Sequence, residues 1–227
     1  MRAILPEKLK ILAKACPSPL YVVGGSVRDY LAKLSPTIHD WDICSPMSAD
    51  AFSQIASSQG FFVNAVYRNT GTVKISDGET AYVYSCFRSD KYIRGVHTPV
   101  EIFFTTDITL DARRRDFTVN AIAYNPSEGY QDPFGGQQDL SNGILRAVGD
   151  PRQRFQEDAL RILRGLRFTC RLSGKARPTP PCGNRRHSHY RSCKTRGRKR
   201  TGLCVPHHVF RRKNRCRRIF RNGYFHS

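Results

Sequence analysis

Asp40 and Asp42 stand two positions apart in His39-Asp40-Trp41-Asp42-Ile43-Cys44. Residues two apart on an extended strand point to one face, so both carboxylates would share a side while Trp41 and Ile43 enter the core. Upstream, Gly24-Gly25-Ser26-Val27-Arg28 follows the run Tyr21-Val22-Val23. Two glycines permit a tight turn with bare backbone N–H groups, Ser26 can cap a helix beginning at Val27, and Arg28 adds a charged fork for phosphate oxygens. Paired carboxylates suit divalent cations, and a glycine turn ahead of a helix suits phosphates. Together they point to phosphoryl or nucleotidyl transfer on a pair of Mg²⁺ ions. Either half alone is a weak signal.

The elements needed to hold these groups can be read from the hydrophobic pattern. Tyr21–Val23 has the β-branched and aromatic character of a buried strand. Residues 6–16 form an amphipathic helix with Pro6 at its first position and Leu9, Leu12 and Cys16 facing inward. Ser48 can cap a second helix carrying Phe52, Ile55 and Ala56, closed by Gly60. Residues 61–67, 71–75, 81–87 and 100–104 read as strands, with Asp77-Gly78 as a hairpin turn. A helical stretch opens at Thr105-Thr106-Asp107, and residues 121–124 and 130–132 form a further hairpin. Asp150-Pro151 then starts one helix through about residue 172, on which Phe155, Leu160, Leu163 and Leu166 recur at helical spacing.

Charge divides the chain. Residues 1–173 carry 21 Lys and Arg against 18 Asp and Glu, whereas residues 174–227 carry 17 Lys and Arg and no acid. Of the eight cysteines, Cys16, Cys44, Cys86 and Cys170 sit singly in apolar patterns, which fits reduced core thiols rather than a disulfide framework. No stretch approaches the roughly 20 apolar residues of a membrane span, and the N-terminus lacks a signal-peptide pattern, so a cytoplasmic setting is expected. The tail leaves three readings open. A zinc module lacks close ligand pairs, because Cys182, Cys193, Cys204 and Cys216 are eleven or twelve positions apart. A disordered basic arm would bind RNA phosphates in a salt-dependent way. An out-of-frame translation accounts for the abrupt, simultaneous loss of every acid and gain of Arg, Cys, His and Pro, and it is the favoured reading.

Further motifs follow the glycine turn and the acidic pair in order. They are Asn69-Thr70-Gly71-Thr72-Val73, Arg114-Arg115-Asp116-Phe117-Thr118-Val119-Asn120-Ala121, Asp132-Pro133-Phe134-Gly135-Gly136, Arg146-Ala147-Val148-Gly149-Asp150 and Glu157-Asp158-Ala159-Leu160-Arg161-Ile162-Leu163-Arg164. Over about residues 20–173 the chain resembles the class II tRNA CCA-adding enzymes and bacterial poly(A) polymerases. The resemblance implies an α/β (α+β) nucleotidyltransferase head with a mixed sheet at 1–148, the start of an all-α neck at 149–173, and an unmatched basic tail, disordered or out-of-frame, at 174–227. It implies Asp40 and Asp42 as catalytic metal ligands for Mg²⁺. Gly24, Gly25, Ser26, Arg28, Arg115, Asp116 and Asn120 would bind phosphate, ribose and nucleotide, and Asp158, Arg161 and Arg164 would read the base. Asp158 and Arg161, three apart, would share a helix face and offer an acceptor and a donor fork to cytosine or adenine.

The implied reaction is addition or repair of the 3′-terminal CCA of tRNA from CTP and ATP, with no protein partner inferable. AMP addition to RNA 3′ ends is the alternative within the same chemistry, and a truncated, inactive RNA-binding fragment is the alternative outside it. The Asn69–Val73 segment is closer to the CCA type. One position departs from the resemblance: the third acidic residue usual in this group falls on Val83. That carboxylate is dispensable, or is replaced by a neighbour such as Glu101 or Glu79, or the site is impaired.

Overall fold

A computed structural model of the chain describes residues 1, 4–34, 40–93, 98–171 and 177–178. Contacts divide the chain into two units, Met1–Pro181 and Cys182–Ser227, and the second lies outside the described residues. The readings of the tail beyond 178 therefore lie outside the described residues, as do the side chains of Asp40 and Cys170.

Seven strands form one mixed sheet. They are β1 (Tyr21–Val23), β2 (Asp40–Ser45), β3 (Phe62–Tyr67), β4 (Thr72–Ser76), β5 (Ala81–Cys86), β8 (Ala123–Asn125) and β9 (Gly129–Gln131), in the order β3-β4-β5-β2-β1-β8-β9. Within this sheet β2 and β5 run parallel, with Asp42 opposite Val83, and every other neighbouring pair is antiparallel. Alternation along these strands separates the two faces. Trp41, Ile43, Val73, Ile75, Tyr82 and Tyr84 lie in the main core with Leu9 and Leu12 of α1 (Glu7–Ala15) and Phe52 and Ala56 of α3 (Ala49–Ser58). Phe52 stacks on Tyr84 with ring centroids 3.7 Å apart, and the Tyr84 hydroxyl donates to the Met47 carbonyl at 2.6 Å. The α3 N-terminus is closed by Ser48, whose Oγ accepts from Ala51 N at 3.2 Å. On the other face Tyr21, Val23, Cys44, Phe87 and Ala123 form a smaller apolar cluster.

A third cluster joins the sheet to the C-terminal helices. It contains Ala32, Phe117, Val119, Leu140, Leu145 and Phe168, drawn from the end of α2 (Gly25–Leu31), a 3-10 turn at Thr118–Asn120, α5 (Gly136–Ser141), β10 (Ile144–Leu145) and α7 (Leu160–Arg171). Gly136 permits this packing: a Cβ there would fall 2.1 Å from the Thr118 carbonyl oxygen. The remaining elements are β6 (Arg88–Lys91), paired antiparallel with β7 (Glu101–Phe104), α4 (Ile108–Arg113), α6 (Pro151–Glu157) and β11 (Arg177–Pro178) beside β10.

The sequence-based elements are corrected in four places. α2 begins at Gly25 with Gly24 as its N-cap, so Ser26 lies inside the first turn and its hydroxyl donates back to the Val23 carbonyl at 3.2 Å. The expected helix from Asp150 to about 172 is two helices, broken at Asp158, which is extended (φ −147°, ψ 106°). The polar strand β6 and the short helix α5 were not anticipated. Finally, residues 177–178 pair with Ile144–Leu145 in a region expected to be structureless. Along α7, Leu160, Leu163 and Leu166 remain exposed.

Candidate active site

Asp42 is exposed although its strand neighbours Trp41 and Ile43 are buried, because β2 turns every second residue away from the main core. Its Oδ2 lies 3.3 Å from the point a Cβ on Gly24 would occupy, and Arg115 Nη1 lies 3.8 Å from that point. Gly24 has φ +72°, a left-handed conformation that a side chain would strain as well as crowd. The glycine turn, the carboxylate and a guanidinium thus converge on one spot. Asp40 opens the same strand opposite Ala81.

Arg115 is set in place by a residue the sequence reading passed over. Asp111, 1% exposed in the first turn of α4, accepts from Arg114 Nε at 2.9 Å, Arg115 Nη2 at 3.0 Å and Arg88 N at 3.2 Å. Burial alone would lower the Arg115 pKa, but Asp111 beside it, with Asp42, leaves it raised. The arginine stays charged under Asp42. Cys44 behind it is pushed up to about 12 by burial and by Asp111, so its thiol is neutral and takes no part as a nucleophile. The signal for Asp111 was present in the sequence: an acid three and four residues before Arg114 and Arg115 on one helical turn.

The residues assigned to ribose and nucleotide form a connected set. Asp116 Oδ1 accepts from Asn120 Nδ2 at 2.9 Å and from Phe117 N at 2.8 Å, and Asp116 Oδ2 accepts from Arg164 Nε at 2.7 Å. Asn120 Oδ1 accepts from Arg28 Nη1 at 2.6 Å. Arg28 is not an open fork in this structure. It is 4% exposed, and Asp29 Oδ1 takes its Nε at 2.8 Å and its Nη2 at 2.7 Å. Its guanidinium acts here as a brace behind the turn.

Asp158 and Arg161, expected from the resemblance to read the base, do not share a helix face. Asp158 sits in the break between α6 and α7, where its Oδ1 accepts from Leu160 N at 2.9 Å and so starts α7. Arg161, 4% exposed in the first turn of α7, donates to Glu157 Oε2 at 3.1 Å and lies over the Tyr92 ring at 5.3 Å. Arg164, one turn on, has a side chain 53% exposed. Glu157 and Tyr92 are therefore contacts of the site that spacing alone did not disclose.

Val83 faces the same side as Asp42, 38% exposed and directly across the β2–β5 pairing, with Lys74 of β4 next in the row. Of the alternatives for a third acid, Glu101 is paired with Lys91 Nζ at 2.9 Å on the β6–β7 hairpin, and Glu79 lies in the turn between β4 and β5, ahead of Ala81. Among the described residues no three His, Cys, Asp or Glu side chains come together as a metal site. The donor set fits a divalent cation that takes the rest of its oxygen ligands from phosphate and water.

The family model described as the poly A polymerase head domain matches residues 20–146. The chain belongs to this family. The CCA-adding enzyme of Staphylococcus epidermidis (strain ATCC 12228 / FDA PCI 1200) is 40% identical over 153 residues, 67% of this chain and 37% of that protein. That of Streptococcus suis (strain 05ZYH33) is 41% identical over 175 residues, 76% of this chain and 42% of that protein. Among solved structures, the Bacillus stearothermophilus CCA-adding enzyme in complex with CTP superposes with a TM-score of 0.64 at 30% identity, covering 78% of this chain and 42% of that one. A tRNA nucleotidyltransferase complexed with a primer tRNA and an incoming ATP analog gives 0.54 at 29% identity, covering 70% of this chain and 43% of that one. This chain spans about two fifths of the length of the relatives it matches. Proteins of the poly A polymerase head-domain family generally use a divalent metal. The mixed sheet expected from sequence is present, has seven strands, and matches the fold of the CCA-adding enzyme structures. Among the described residues no helix is long and apolar enough to cross a membrane.

Proposed function

We propose that this chain is the catalytic head of a template-independent RNA nucleotidyltransferase that adds or repairs the 3′-terminal CCA of tRNA from CTP and ATP in the cytoplasm. The observation that carries the reading is Asp42, an exposed carboxylate on a central strand whose residues 41 and 43–45 are buried, facing the Gly24 turn. The names of the relatives support it: they state CCA addition, CTP, and a primer tRNA with an ATP analog. The head would run over 1–148, with 149–173 opening a helical domain.

In this proposal the RNA 3′-oxygen bonds to the α-phosphorus of the nucleotide as the bond to the bridging β-phosphate oxygen breaks. Pyrophosphate leaves toward Gly24, Gly25 and Ser26, with Arg28 bracing the turn, and the hydroxyl proton passes to solvent. Mg²⁺ held by Asp40 and Asp42 supplies, when bound, the Lewis acidity that favours the alkoxide and offsets charge at the α-phosphate. Arg115 adds a fixed positive charge beside Asp42, so the nucleotide phosphates meet a prearranged field rather than reorganising water. Asp116 and Asn120 present buried polar atoms to the sugar. Asp158 offers an acceptor and Arg161 and Arg164 donors to the base edge, a combination that serves both cytosine and adenine.

The test is incubation with tRNA lacking its 3′ end, offering CTP and ATP singly and together. Ordered addition of C, C and A supports the reading. Growth by A alone supports the poly(A) polymerase alternative that the family name also covers. Absence of incorporation, with RNA binding that survives Asp42→Ala, identifies a binding fragment. Retained incorporation in both Asp40→Ala and Asp42→Ala would overturn the assignment of the metal ligands.

A further inference from the structure

Four polar side chains and one aromatic ring, from three separate stretches, form a closed circuit. Arg28 of α2 donates to Asn120, Asn120 donates to Asp116, and Asp116 accepts from Arg164 of α7. The circuit is completed by Phe168, one turn after Arg164. Its ring centroid lies 4.7 Å from the Arg28 guanidinium carbon and 5.5 Å from that of Arg164. Two cations gathered at one ring repel each other, so something must hold both. Asp29 and Asp116 each take one guanidinium, and the negative face of the ring attracts both.

The ring itself is not free to move. Phe168 is 7% exposed and meets Phe117 edge-on, with centroids 5.8 Å apart at 85°. One turn earlier on α7, Gly165 lets the same Phe117 approach so closely that a Cβ would fall 3.1 Å from its Cζ. Phe117 therefore fixes the rotation of α7 at two successive turns, and with it the place of the Phe168 ring. Phe168 itself has no part in the function described above, which it meets only through the guanidinium groups of Arg28 and Arg164.

We propose that Phe168 is a positioning residue that holds Arg28 and Arg164 on one ring, making the phosphate end and the base end of the nucleotide site a single unit. The inference rests on the nucleotide-binding reading of the site. Nucleotide affinity then depends on the π face at position 168 and not only on its volume.

The experiment is titration of the full chain with CTP, and separately ATP, in Mg²⁺ buffer without RNA, at 20 °C, alongside thermal melting. Phe168→Leu keeps an apolar group against Phe117 and removes the π face; it raises Kd about five- to tenfold, as expected for two partly desolvated cation–π contacts. Phe168→Tyr keeps the face and stays within about threefold of the unmodified chain. Should Phe168→Leu fail to fold, Phe168→Met fills the volume with a more adaptable side chain and is expected to show the same loss. A folded Leu or Met variant with unchanged Kd overturns the inference alone, whatever its Tm, because a merely structural role lowers Tm without touching affinity. If the unmodified chain binds neither nucleotide, the reading of the site falls, and this inference with it.

Discussion

Replacing Asp111 by Asn tests the view that one buried carboxylate sets the charge beneath Asp42. The side chain of Asp111 is 2% exposed and serves Arg114, Arg115 and the Arg88 amide. Asn preserves the shape but turns one acceptor into a donor that faces a guanidinium. Removing one partner of a buried ion pair costs about 3–5 kcal/mol, because the remaining charge stays desolvated. Arg114 keeps Asp90 at 3.8 Å, so the lower end applies, about 3 kcal/mol. For a domain of this size that corresponds to a Tm lower by roughly 6–12 °C. The assay is urea denaturation at pH 7, with m unchanged, repeated down to pH 3. Burial alone would raise the Asp111 pKa, but Arg115 and Arg114 more than offset it and leave it lowered. A lowered folded-state pKa gives stability that is complete above the unfolded carboxylate's range and is lost as pH falls through the folded value. The difference between the two proteins is thus constant from pH 7 to about 5 and narrows below about pH 4. A difference under about 1 kcal/mol at pH 7, or one that widens in acid, would refute the reasoning.

Two other substitutions probe packing and the carboxylate row. Gly136→Ala sets a Cβ 2.1 Å from the Thr118 carbonyl; since neither backbone can yield cheaply, it should lower stability by about 2–4 kcal/mol in the same denaturation assay, within the range for severe overpacking. Val83→Glu places a third carboxylate across from Asp42 on the exposed face. Mn²⁺ affinity, read by electron paramagnetic resonance of the free ion, should rise about tenfold for a loss of stability below ~1 kcal/mol from like-charge crowding; unchanged affinity would show that Val83 does not border the cation position.

Much of the framework of the candidate site was legible because its signals are local. A β-branched run, two glycines and alternating acids on a strand need no distant partner to be read; β1 and β2 lie where those signals put them, and α2 starts at Gly25, two residues before the expected Val27. What escaped was decided by side-chain contacts that the hydrophobic pattern does not carry. The break at Asp158 interrupts an apolar period running from Phe155 to Leu166, with no glycine or proline at the break itself; it arises because the Asp158 carboxylate satisfies the Leu160 amide and begins a new helix. Strand β6, Arg-Ser-Asp-Lys, has little β propensity and exists through pairing with β7 and the Arg88–Asp90 ion pair at 3.0 Å. Arg28 reads as a surface fork from its neighbours, and only the fold reveals Asn120, 92 residues away, as its partner.

The parallel pairing of β2 with β5 has a kinetic consequence. The β3–β4 and β4–β5 hairpins close over a few residues, whereas bringing Asp42 against Val83 closes a loop of some forty residues and must wait for that cost to be met. Loop-closure entropy therefore favours assembly of the three-stranded meander first and its docking on β2 afterwards. A nascent chain that has not yet reached Val83 has Asp42 on a strand still lacking its parallel neighbour, so the face proposed to hold the cation takes shape late, after the scaffold beside it is already built.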